Sequence, residues 1–163
     1  MSTLRSHRLA PPLWLGALGA LAVLLLMAAA PPWLSADGQR LMRAAFAWVC
    51  HQLPDRSPAI DGVTLAVCHR CWGIYLGLLA GLLAGGFYRL RTPDPKTGPD
   101  TRLLLVASLA PAGVDWGLGL LGVWVNTPTS RLVTGALFGV AAGYILAREL
   151  ITARPTEAEA PAS

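Results

Sequence analysis

The chain has 163 residues, 54% of them hydrophobic and 13% charged, with three cysteines and a formal net charge of +4. Its positive mean hydropathy lies well away from soluble globular averages, and three or four bilayer crossings of about 20 residues each leave no length for a separate soluble domain. The basic residues are scattered at segment ends instead of gathered on one face, which argues against a nucleic-acid partner. An odd cysteine count argues against a disulfide scaffold.

The first apolar run, Leu13 to Ala30, follows a short basic start with Arg5, His7 and Arg8. It exceeds the about 7–15 residues of a signal-peptide core, so it reads as a membrane anchor and not as a leader cleaved near Ser35-Ala36. After Pro31-Pro32, the stretch from Asp37 to His51 places Leu41, Ala45 and Trp48 on one helical face with Arg40 and Arg43 off it. An interfacial helix with Trp48 at headgroup depth is expected there. Pro54 ends it, and Asp55 to Gly62 reads as a turn.

Further crossings are expected over 72–90, 103–122 and 132–150, separated by a Pro- and Gly-containing solvated loop from Arg91 to Thr101. The tail from 154 to 163, rich in Ala, Pro and Glu, is expected to be disordered. The sum is an all-α integral membrane protein. It has a cytoplasmic N-terminus over 1–12 and one membrane domain over 13–153, with four transmembrane helices, a short interfacial helix and the lipid bilayer as its partner.

Orientation follows from the basic residues beside the crossings. Arg5, Arg8, Arg89, Arg91, Lys96, Arg102, Arg148 and Arg154 fall on one side, against Arg40, Arg43, Arg56, Arg70 and Arg131 on the other. The first set marks the cytoplasmic side. Three of the opposing arginines sit among Asp37, Asp55 and Asp61 in a long loop, where the rule counts for less.

Gly73, Gly77, Gly81 and Gly85 form a small-residue ridge along the second crossing, and Gly135, Gly139 and Gly143 form another on the fourth. Such ridges allow close backbone approach in lipid. They can join within one chain or build a homo-oligomer between chains.

The segment from Cys50 to Tyr75 reads CHQLPDRSPAIDGVTLAVCHRCWGIY and holds every cysteine of the chain. Cys68 and Cys71 are three apart at the entrance to a helix, and Cys50 and His51 close the preceding one. Three thiolates and one imidazole form the ligand set of a structural zinc site, and also suit Cu(I) or iron. Cys50, His51, Cys68 and Cys71 are therefore the candidate ligands of a transition metal, zinc first, with His69 a competing donor.

A redox reading stands beside it. A Cys-x-x-Cys pair at a helix N-terminus near Arg70 favours a thiolate, and thiol–disulfide exchange at Cys68 and Cys71 would follow. No thioredoxin-like pattern accompanies the pair. The residue after Cys71 is Trp72 and not His, which excludes a c-type haem site. Simple packing is the third explanation, since free Cys often behaves as a small hydrophobe.

Asp115 lies inside the third apolar stretch after Pro111, where a carboxylate costs about 2.5–3.5 kcal/mol at mid-membrane. If its helix ran to Val125, Asp115 would lie near the midplane and ion passage would be open to it, as in a small transporter or channel subunit. If Gly117, Gly119 and Gly122 broke the helix, Asp115 would lie near the outer face and pair with Arg131, Arg70 or Arg56. The second geometry is preferred, because three glycines in six residues make poor helix. Asn126, Thr127 and Ser130 are expected to form a polar turn leading into Arg131.

CHQLPDRS, then VCHRCWGIYLG, then an Asp in the next crossing and Arg-x-x-Thr-Gly at the last helix together resemble the DUF2085 family of small prokaryotic membrane proteins. The likeness covers about Phe46 to Gly143. The family's motifs fall on Cys50, His51, Gln52, Arg56, Ser57, Cys68, Cys71, Gly73, Ile74 and Tyr75, then on Asp115, Arg131, Thr134 and Gly135. The resemblance supports a multi-pass protein of the prokaryotic plasma membrane and this choice of site residues, and supplies no reaction; it is the basic-residue count that makes the Cys/His site extracytoplasmic. His69 departs from the family pattern, where a small residue is usual, which makes His51 the stronger ligand candidate.

Overall fold

A computed structural model describes residues 12–92 and 98–152. The expected cytoplasmic start, the middle of the Arg91–Thr101 loop and the expected disordered tail lie outside the described residues. Five α-helices run α1 (Pro12–Ala29), α2 (Ala36–Phe46), α3 (His69–Arg91), α4 (Thr101–Leu120) and α5 (Pro128–Thr152), with a two-stranded hairpin, β1 (Ala59–Ile60) and β2 (Val63–Thr64), before α3. Helices α3, α4 and α5 are long and apolar enough to cross a membrane, and α1 is a shorter apolar helix. Eighteen residues give α1 a rise of about 27 Å, just under a hydrocarbon core of about 30 Å.

The centre of the fold is the α3–α5 seam. A methyl group built on Gly77 would run into the carbonyl of Ala136, one on Gly81 into that of Val140, and one on Gly139 into that of Ile74. The two glycine ridges therefore face each other inside one chain, and the interchain seam they also allowed is taken up by this contact. In lipid, where no hydrophobic drive joins helices, such backbone-to-backbone packing supplies the dispersion contact that does.

Helix α1 lies across α3 in the same manner. The Trp14 indole Nε1 donates to the Leu82 carbonyl at 3.0 Å, and the ring occupies the space left by the missing side chain of Gly86. At the other end of α1, the Ala66 amide donates to the Ala28 carbonyl at 3.0 Å. That bond ties the segment before α3 to the end of α1.

Helix α4 runs through Gly117 and Gly119 and stops at Leu120. The break expected at the glycines comes from Gly122 alone, whose φ of 69° suits a residue without Cβ. The Val123 amide closes the end on the Leu118 carbonyl at 3.1 Å. The missing side chain of Gly119 leaves room for Asn126 to fold back onto the helix.

The interfacial helix is shorter than expected, ending at Phe46 rather than His51. Ser35 caps its start, and Met42 and Phe46 face the protein while Leu41 and Trp48 are exposed, Trp48 at 96%. Between it and α3 the chain forms the hairpin that the expected Asp55–Gly62 turn concealed. Asp61 and Gly62 take φ of 51° and 81°, as a two-residue loop joining twisted strands requires.

Candidate metal centre

Each cysteine arrives on a different local device. Cys50 follows the last turn of α2, where its amide bonds the Phe46 carbonyl at 3.0 Å, and it is 5% exposed. The hairpin brings the chain back, braced by Arg43, which donates to the Thr64 hydroxyl at 2.7 Å and to its carbonyl at 3.2 Å. Cys68 is the N-cap of α3 and Cys71 lies in its first turn.

The three sulfurs lie within 4.8 Å of one another, and all three thiols are free. The Cys68 backbone amide donates to Cys50 Sγ at 3.2 Å. Hydrogen bonding to Cys50 first, and to Cys71 next, lowers the Cys68 thiol well below its ordinary pKa. The walls are apolar: Ala28, Phe46, Ala66 and Val67 are buried around Cys50, with Trp72 and Tyr75 packed against them. A thiolate favoured at Cys68, with Cys68 and Cys71 partly exposed beside the buried Cys50, gives a donor set able to hold a cation.

The structure brings three of the four expected ligands together. His51 is exposed and its ring stays outside the group that the three thiols form. Cys50 is buried while His51 beside it is exposed, and Gln52 takes φ of 52°. The Gln52 side-chain Nε2 donates to the Arg43 carbonyl at 2.7 Å, which holds this segment against α2. His69 is engaged elsewhere, its Nδ1 lying 2.8 Å from the Arg56 carbonyl.

Asp115, 7% exposed, lies at the same end of the bundle. Its Oδ2 accepts from Arg70 at 2.8 Å and from the Asn126 amide at 2.7 Å, and its own carbonyl accepts a second Asn126 bond at 2.9 Å. Of the three arginines open to it, the partner is Arg70, and Arg131 and Arg56 make no ion pair with it. Arg70 stands one residue from Cys71 on a helix seated directly against α5, so its reach to α4 is set by the glycine seam. Asn126 carried no pairing signal in the sequence beyond its place in a polar turn.

An all-helical membrane protein with a three-thiol cluster at one end of its bundle is the class that fold and site define. The family model described as "Predicted membrane protein (DUF2085)" matches residues 50–145, and the chain belongs to that family. It is 36% identical over 96 residues, 59% of its own length, to an uncharacterized protein of Methanocaldococcus jannaschii, and the match spans 60% of that relative. A second uncharacterized protein, from Methanothermobacter thermautotrophicus, is 32% identical over 95 residues, 58% of this chain and 81% of the relative. No solved structure matches.

Proposed function

We propose that the protein binds one transition-metal ion, zinc first, at Cys50, Cys68 and Cys71 on the extracytoplasmic side, and that the ion ties the α2 segment to the head of α3. The observation that carries this reading is the convergence of three free thiols, from two segments 18 residues apart, to within 4.8 Å. Sulfurs sharing one tetrahedral zinc at about 2.3 Å stand about 3.8 Å apart, so modest side-chain adjustment completes a three-thiolate face. The Cys68 amide bond to Cys50 Sγ is the kind of outer contact that steadies a thiolate ligand. Three protein ligands leave a fourth position for water or a donor from outside this cluster.

The test joins metal content to thiol reactivity on protein purified in detergent without chelator. About one metal per chain is expected, with thiols that alkylate slowly and become fast after chelation, because ligation withdraws the sulfur lone pairs. Cys50→Ser should lower metal content and free Cys68 and Cys71 together. Thiols released only by a reductant, with a chelator inert, would instead favour disulfide exchange at Cys68 and Cys71. Metal-free protein whose three thiols all react at once would leave only the packing role.

A further inference from the structure

Three arginines from three separate segments converge beside the Asp115 pair. Arg56 from the 54–56 turn, Arg70 from the first turn of α3 and Arg131 from the first turn of α5 line a cavity of about 210 Å³, together with Asn126 and the apolar Trp116 and Leu120. Like charges gathered around one space repel unless something neutralises them. The buried carboxylate at hand, Asp115, spends one oxygen on both Arg70 and Asn126. Asp55 stands 3.6 Å from Arg56, but both side chains are more than half exposed, so water and salt screen that pair.

Positive charge therefore remains in excess at the cavity. Arg131 has no ion pair among the described residues, and the Arg70 Nε is buried without a hydrogen-bond partner. The N-termini of α3 and α5 open beside the same space with positive potential, the C-terminal turn of α4 at Gly119 and Leu120 faces it with negative potential, and the net excess rests on the guanidiniums.

We infer that this cavity binds a phosphate-class oxyanion, supplied either as free inorganic phosphate or as the phosphodiester of an anionic lipid headgroup. Guanidinium forks match tetrahedral oxyanions through paired charge-assisted hydrogen bonds, and three forks from three directions suit an anion with several oxygens better than a halide. The space holds such a group with a few waters, at about 30 Å³ of liquid volume per water, and is smaller than the about 300–1,000 Å³ of pockets for larger organic ligands. The inference rests on the arginines alone and is independent of the thiol centre.

The test uses the full chain, delipidated in neutral detergent. Its thermal midpoint is followed against inorganic phosphate, with chloride at matched ionic strength as control. In a second arm the chain is placed in phosphatidylcholine bicelles with or without phosphatidylglycerol. A saturable upward shift with phosphate identifies the free anion as ligand, and a shift with phosphatidylglycerol alone identifies the headgroup. Arg131→Gln should weaken the effective probe by about tenfold or more, the loss expected for a charge-assisted bond, and a zinc chelator should leave that binding unchanged. If Arg131→Gln does not fold, Arg56→Gln, at an exposed position, carries the same comparison. No shift beyond the chloride control in either arm, or full binding by both variants, overturns the inference.

Discussion

A carboxylate enters an apolar helix at a cost, and the surroundings of Asp115 state how that cost is offset. Both of its strong partners come from outside α4: Arg70 from α3 at 2.8 Å and Asn126 from the following turn at 2.7 Å. Removing one member of a buried ion pair costs about 3–5 kcal/mol, chiefly through the charge left behind. Arg70 is 30% exposed, so Asp115→Asn should fall at the lower end, about 3 kcal/mol. The double variant Asp115→Asn/Arg70→Gln should lose much less than the two singles added together. Unfolding midpoints in mixed micelles for the four proteins of the cycle measure the coupling, and strictly additive losses would show that the two groups are neighbours without being a pair.

At the scale of elements, the α3–α5 seam makes glycine the residue that each ridge position requires, whereas Gly113 and Gly117 of α4 have open space. A Cβ on Gly77 meets the Ala136 backbone, while one on Gly113 of α4 meets nothing within 4 Å. The same substitution should therefore have opposite signs at the two sites. Gly113→Ala gains about 0.5–1 kcal/mol through helix propensity, and Gly77→Ala loses about 1–3 kcal/mol by forcing packed backbones apart. Equal effects on the thermal midpoint would mean that the helices do not touch where the seam places them.

The long apolar runs announced α3, α4 and α5 to within a few residues, because span length is dictated by bilayer thickness. The glycine spacing likewise announced a seam, though not that both sides belong to one chain. The hairpin is not legible because two-residue strands carry almost no periodicity, and its one signal, Asp61-Gly62, marks only a turn. At the thiol cluster the three cysteines are legible by their grouping in one segment. That His51 stays outside the group is not legible, since it depends on the path the chain takes after Cys50, where the Gln52 side chain bonds the Arg43 carbonyl.

For the molecule as a whole, the decisive quantity is which end faces the cytoplasm. The thiol cluster, the α2 helix and the Arg70–Asp115 pair all lie at the end where α3 and α5 begin and α4 finishes. Charge counting was diluted by the arginines at this end, and the structure gives most of them local work. Arg40 pairs with Asp37 at 2.7 Å, Arg43 holds Thr64, and Arg70 holds Asp115. Arginines committed to protein partners are poor guides to orientation. The opposite end keeps Arg89, Arg91, Arg102 and Arg148 beside the helix termini, and on the basic-residue rule it is expected to be the cytoplasmic one. Alkaline phosphatase inserted at the Asp61–Gly62 hairpin tip should then be active, as it folds only outside the cytoplasm, and a fluorescent protein fused after Arg154 should glow. The reverse pattern would place the three thiols in a reducing compartment. There a structural disulfide is rarely kept, and metal binding and packing would remain for the cluster.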